Sequence, residues 1–443
     1  MKLLKAIIGF LVVNAFFFSS KYSFTGDFNT KELLAVLGLI FYAADILKKS
    51  QFTLTKEVFG LLFFSGLISI IAYFTSTYHS TLETTYTTYF LSMLVWLVAA
   101  FATIRCLKLL YGEVSVESVS ACIVIAALVQ SLVAVIADFY EPLDTLLLTI
   151  NPNHAWVKSV DRLYGFADTS CLDTGGIRYA MAEILCIHLA KKKVEARQFH
   201  LVMLYLLIFC IICVTGNMVA RTTITGTVVG LVYLAFYLFP KGANITGNQT
   251  KLLGSFFCEV AIISIVAVSL YNSNTVFREH TRFAFEGFFS LVEDGHWHTS
   301  SNAKLAGMYK LPDNAETWII GDGYFNNPAG DVNYLGEITG GYYMDTDVGY
   351  LRFIFYMGLT GLLAFIVFII YSGIIAVKKN PGYGLLMALM TSMTFIIWAK
   401  VATDCFFILA LFICVGYQRE LDAGTEQEDE EDDDEIIEDI AIV

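Results

Sequence analysis

Apolar runs recur along almost the whole chain, and they constrain its folding more than any other feature. Residues 4–18, 32–47, 58–74, 85–102 and 119–139 are such runs, separated by short polar breaks. A polar interval over 140–173 leads to further runs at 175–190, 201–214, 222–239 and 252–271. Residues 348–377 and 385–415 complete the series. About 20 apolar residues in a helix cover the hydrocarbon core of a bilayer, and a helix satisfies its own backbone hydrogen bonds there. The last run is too long for one straight span at about 1.5 Å per residue, so it divides near Lys400–Asp404. The expectation is an all-α polytopic membrane protein with about twelve transmembrane helices.

Composition agrees where it bears on the point. Charged residues make up 16% of the 443 and hydrophobic ones 56%, whereas a soluble domain carries about a quarter charged. Six prolines and no internal repeat argue against transporter folds built from inverted repeats and broken helices. The nine cysteines lie mostly in or beside apolar runs, where cysteine acts as a small hydrophobe. Cys171 falls in an outer segment without a partner, and Cys210 and Cys213 share a lipid-facing helix rather than a redox motif.

Basic residues set the expected sidedness. Lys2, Lys5, Lys48, Lys49, Lys56, Arg105, Lys108, Lys191, Lys192, Lys193, Arg197, Lys241, Lys251, Lys378, Lys379 and Arg419 all fall at alternate loop ends. The positive-inside rule then makes both termini cytoplasmic and puts 272–347 outside. The first 20 residues lack a small-residue cleavage site and read as the first span. The net charge of −13 belongs to a tail: 13 acids and no Lys or Arg follow Arg419, leaving 28 acids against 28 basic residues before it. The domain reading is therefore a membrane domain over 1–419, a large loop at 272–347 inserted in it, and an acidic cytoplasmic tail over 420–443. So dense a run of like charge is expected to be disordered.

The 272–347 loop is where chemistry is expected, since a connection this long is commonly functional. Ionisable groups beside membrane spans are costly and usually face a cavity or a partner. On the expected outer side they are Arg162, Arg178 with Glu183, Arg221, Arg278, Arg282, Arg352, and Lys400 with Asp404. Arginine grips phosphate through a planar fork of permanently charged donors, so the set points to a phosphate-bearing ligand presented from the lipid. The plain alternative is snorkelling of each side chain to the interface. His296 and His298 are too few for a zinc site. Gly321-x-Gly323 and Gly340-Gly341 read as turns rather than nucleotide loops. Neither a metal nor another cofactor is expected, and no nucleic acid.

The order of Arg162-Leu163-Tyr164-Gly165, Thr215-Gly216 followed by Arg221, the Arg282 stretch, Gly321-Asp322-Gly323-Tyr324 and Asp345 to Leu351 resembles the O-antigen polymerase and ligase family. The resemblance covers roughly residues 140–361 together with the span count. It implies a fold similar to the C-type glycosyltransferases, in the bacterial inner (cytoplasmic) membrane, and a metal-independent glycosyltransferase. The implied partners are an undecaprenyl-pyrophosphate-linked oligosaccharide, membrane lipid and a chain-length regulator protein. Arg162, Arg221 and Arg282, with Arg278 as its rival and Arg352 nearby, are the expected pyrophosphate ligands. The ligase branch has a histidine late in the large loop, where this chain has Asp345 and Asp347. That favours polymerase over ligase, and it leaves the base among Asp345, Asp347, His296 and His298. A lipid-linked oligosaccharide flippase or other transporter is the alternative from another class.

Overall fold

The computed structural model describes residues 2–26, 28–49, 55–160, 162–239 and 246–441, except for the side chains of 2, 3, 48, 49 and 424–441. It is helical throughout, with no strand among these residues beyond one bridge from Lys21 to Asn29. The first helices are α1 (Lys2–Phe17), α2 (Thr30–Lys49), α3 (Lys56–Tyr78), α4 (Tyr89–Tyr111) and α5 (Val116–Phe139). The polar interval that follows contains two short helices, α6 (Glu141–Ile150) and α7 (His154–Ser159). Then come α8 (Leu172–Glu195), α9 (Phe199–Val219), α10 (Ile224–Leu238) and α11 (Gly247–Ser273). The large loop carries α12 (Thr275–Ala284), α13 (Glu286–Glu293), α14 (Ser300–Gly307) and α15 (Ala315–Ile319). The chain ends with α16 (Gly349–Lys379), α17 (Gly384–Ile397) and α18 (Phe406–Ala441).

Every apolar run of the sequence is thus helical, and the last one is interrupted between Ile397 and Phe406. Among the described residues, seven helices are long and apolar enough to cross a membrane: α3, α4, α5, α9, α10 (counted from Arg221), α11 and α16. Two shorter apolar helices are Leu4–Phe17 and Gly384–Ile397. Lipid provides no hydrophobic force between helices, so close packing of small residues has to hold them. At the α8–α10 contact a side chain on Gly226 would stand 2.2 Å from the Ala180 backbone, so only glycine fits.

Charged helix ends gather at opposite ends of the bundle. At one end Arg105 pairs with Asp45 at 3.0 Å, Lys379 with Glu420 at 2.6 Å, and Lys108 with Asp422. The acidic stretch after Arg419 therefore begins with two carboxylates tied to the bundle. The backbone continues as helix to Ala441, and the tail's carboxylate side chains from residue 424, including the run expected to be disordered, lie outside the described residues. At the other end sit α6, α7 and the 272–347 segment.

One expectation is overturned. The run at 348–377 is not a continuous helix: Gly358 breaks it with φ 64 and ψ −170, giving segments 349–357 and 359–379. The first segment is buried, with Phe353, Phe355, Tyr356 and Met357 in the core. Its end carbonyls, which lose their helical partners, accept from the Gly321–Gly323 turn: Asp322 N–H to Phe355 O at 2.6 Å and Gly323 N–H to Tyr356 O at 3.2 Å. A break inside an apolar helix is tolerated only with such replacement partners. Proline count and hydropathy are blind to it, because the break uses glycine and the apolar composition does not change across it.

Candidate functional site

α12 is capped by Asn274, whose side chain accepts from Phe277 N–H at 2.9 Å, and it buries Phe277 and Ala284. Its last turn presents Arg282 and Phe283. Arg162, from the loop after α7, lies 4.2 Å from the centre of the Phe283 ring. Arg221, from the turn between α9 and α10, lies 4.4 Å from the same ring. Two guanidinium groups from distant parts of the chain therefore meet on one aromatic side chain. Cation–π contact offsets part of the repulsion between them.

Beside Arg162 and Phe283 opens a cavity of ≈ 820 Å³, lined also by Asp138, Asp144, Lys158 and His280. Glu141 and Glu279 line it too, and of these four carboxylates Asp138 and Asp144 are engaged by neighbours. Asp138 meets His280 at 2.9 Å, and Asp144 accepts from Lys158 and Tyr164. Burial alone would raise the Asp144 pKa, but those two donors hold it below the ordinary aspartate value. Arg221 pairs with Glu286 and donates to Ser300 Oγ at 3.2 Å.

The other sequence-predicted arginines have different surroundings. Arg282 makes a two-pronged pair with Glu293 at 2.9 and 2.6 Å and lies 4.8 Å from the Phe289 ring. It lines a smaller cavity of ≈ 390 Å³ with Phe283, Glu286 and His298. Arg278 donates to the carbonyls of Tyr271 at 3.0 Å and Asn272 at 3.3 Å. It thereby caps the end of α11, whose last carbonyls have no helical partner. Arg178 is buried and likewise serves backbone, donating to Phe17 O and Thr174 O.

A second polar group adjoins Arg221. Lys400, from the break between α17 and α18, donates to Asp173 at 2.9 Å and to Thr222 Oγ1 at 3.0 Å. Thr222 follows Arg221 directly and also donates to Asp173. Asp347 is half-buried within the field of this group. Burial raises its pKa above the ordinary aspartate value, Arg352 and Lys400 pull it down, and Asp173 and Asp345 push it up. Arg352 is buried between the rings of Phe325 at 3.8 Å and Tyr342 at 3.4 Å, donates to Phe325 O at 3.0 Å, and leaves its Nε without a partner. Asp345 stands apart: it is exposed, at a left-handed φ of 52 after Met344 at φ 56.

His296 and His298 are exposed, with ring centres 6.5 Å apart. Among the described residues, no three His, Cys, Asp or Glu side chains come together as a metal site. Sequence reasoning assigned no role to Phe283, Glu286 or Asp173, and it paired Lys400 with Asp404 rather than Asp173. Asp404 instead caps α18 through Phe406 N–H and accepts from Tyr89. Phe283 is one of 36 phenylalanines, and nothing in its immediate sequence marks it except the neighbouring Arg282. Compared with family models, with curated proteins and with solved structures, the chain finds no match in any of the three.

Proposed function

We propose that this protein is a polysaccharide polymerase of the bacterial inner membrane, of the O-antigen, capsule or exopolysaccharide type. In this reading it has about twelve spans, both termini are cytoplasmic and 272–347 lies outside. It moves the growing glycan from undecaprenyl pyrophosphate to a hydroxyl of an incoming lipid-linked repeat unit. The observation that carries the reading is the meeting of Arg162 and Arg221 on Phe283 beside a cavity large enough for a diphosphate and a sugar.

The acceptor oxygen bonds to the anomeric carbon as the bond from that carbon to the phosphate oxygen breaks. The electron pair leaves with the lipid pyrophosphate, and fixed cations stabilise that anion as its charge develops. Arg162 and Arg221 supply them, with Arg282 at the adjoining cavity. The acceptor proton passes to a base. Asp347 suits that role better than Asp345, His296 or His298, because it alone is half-buried and adjoins the group next to Arg221. A buried carboxylate with a raised pKa is a stronger proton acceptor than a solvated one.

One observation favours a second reading. Discontinuous helices mark the binding sites of many transporters, and α16 is discontinuous at Gly358. A lipid-linked oligosaccharide transporter is therefore the alternative, with a ligase using the same donor as a third. The glycan made by a deletion strain carrying Arg162→Lys or Arg221→Lys separates them. Polymerase variants still attach single repeat units but build no long chains. A transporter variant traps units inside, and a ligase variant accumulates finished chains on the lipid carrier.

A further inference from the structure

Arg221 and Arg282 are both already engaged, and by the same element. Glu286 opens α13 and Glu293 closes it. Glu286 pairs with Arg221 and accepts from Ser300 N–H and Ser300 Oγ, each at 3.0 Å. Glu293 fills both prongs of Arg282 at 2.9 and 2.6 Å. A carboxylate offers two oxygens to the guanidinium fork, as a phosphate does, but with less charge. Both pairs reach solvent: side-chain exposure is 15% and 31% for Arg221 and Glu286, and 44% and 48% for Arg282 and Glu293.

We infer that Glu286 and Glu293 are resident counter-anions, an autoinhibitory contact that a diphosphate displaces when it binds Arg221 and Arg282. The inference rests on the proposed pyrophosphate site and adds how that site is held closed. Elsewhere α13 is held by neutral contacts: Ser290 Oγ accepts from His298 N–H at 2.9 Å and donates to His298 O at 2.8 Å, Phe289 stacks on Tyr271 at 5.8 Å and Phe288 meets Trp297 at 5.0 Å. Lifting this one helix removes the carboxylate from both arginines and leaves them only hydroxyl acceptors, Ser300 Oγ at 3.2 Å for Arg221 and the Tyr271 hydroxyl at 3.3 Å for Arg282. Glu286 is also unsuited to act as the base. Burial would raise its pKa, but Ser300 and Arg221 together hold it below the ordinary glutamate value, so it remains an anion and a weak proton acceptor.

The test is binding of inorganic pyrophosphate to the full-length protein in nanodiscs, for the wild type, Glu286→Gln, Glu293→Gln and Arg221→Gln/Arg282→Gln. Release of the resident carboxylate should tighten binding about three- to tenfold in each glutamine variant, where tenfold equals ~1.4 kcal/mol. Binding should be lost in the double arginine variant. Glu293 is exposed, so its variant reads the exchange even if Glu286→Gln folds poorly. If the wild type binds pyrophosphate and neither glutamine variant binds more tightly, the glutamates merely orient the arginines, and the inference falls while the pyrophosphate site stands. If neither the wild type nor the glutamine variants bind, or if the double arginine variant binds normally, the pyrophosphate reading falls with it.

Discussion

The backbone N–H of Asp322 donates to the carbonyl of Phe355 at 2.6 Å, joining the large loop to the broken end of a buried helix. Gly358 makes that junction possible. Its φ of 64 lies in the left-handed region, and a side chain there would stand 2.2 Å from Ile319 O. Gly358→Ala should cost at least ~2 kcal/mol through backbone strain and that clash. Thermal unfolding of the purified variant, or its steady-state level in membranes, measures the loss. An unchanged midpoint would mean that the turn and helix give way together.

At the arginine pair, geometry separates effects that the sequence merges. Arg162→Lys and Arg221→Lys keep the charge and lose the flat group that lies against Phe283 and forks onto phosphate. Long-chain polymer should fall at least tenfold, equivalent to ~1.4 kcal/mol in the barrier, with protein abundance unchanged. Arg278→Lys, at the helix cap, should reduce abundance more than activity per molecule. A normal glycan ladder from both site variants would leave only snorkelling as their role.

Asp347 carries a pH signature. Its pKa lies above the ordinary aspartate value of about 3.9, so activity should drop on acidification at a higher pH than a solvated aspartate would give. Asp347→Asn should remove activity. The sign for stability runs the other way. A raised folded pKa means that the ionised form is disfavoured on folding, so the wild type loses stability as pH rises through that pKa. The asparagine variant should therefore equal or exceed wild-type stability at neutral pH and lose that advantage in acid. Lower stability at neutral pH would show that Arg352 and Lys400 compensate the charge fully.

Sidedness can be read with reporter fusions after Ser301 and after Leu421, which should report opposite compartments. The tail offers a companion test. Because Lys108 pairs with Asp422 and Lys379 with Glu420, truncation after Ala423 should leave polymer formation intact. Truncation after Arg419 should lower thermal stability. Loss of polymer from the longer version at normal abundance would assign the remaining carboxylates to an essential partner.

The long apolar helices were legible because lipid imposes a simple rule on composition, and even the interruption near Lys400 followed from length alone, whereas the short helices α6, α7 and α12–α15 carry no such rule. The break at Gly358 was not legible either, since hydropathy averages over a single residue's backbone angles. Among the arginines, sequence could not distinguish Arg278, which serves the carbonyls of Tyr271 and Asn272, from Arg221, which lies against Phe283 and pairs with Glu286. Both look alike in a one-dimensional pattern, and only the fold brings Phe283 to Arg162 across more than a hundred positions. Asp345 and Asp347 were equally plausible for the same reason: a left-handed turn sends one outward, and the next turn of chain carries the other inward.

α11 is the least enclosed of the seven long apolar helices, with 11% of its most apolar stretch buried, and it packs mainly on α9 and α12. Its position is consequently set by the bilayer more than by protein neighbours, and its length responds to hydrocarbon thickness through tilt. Arg278 grips its last carbonyls, and Arg282 and Phe283 lie within five residues of Arg278 on the same short helix. A thicker or thinner membrane therefore pulls on the arginine site through a lever one helix long, making lipid composition a control input to the site as well as its solvent.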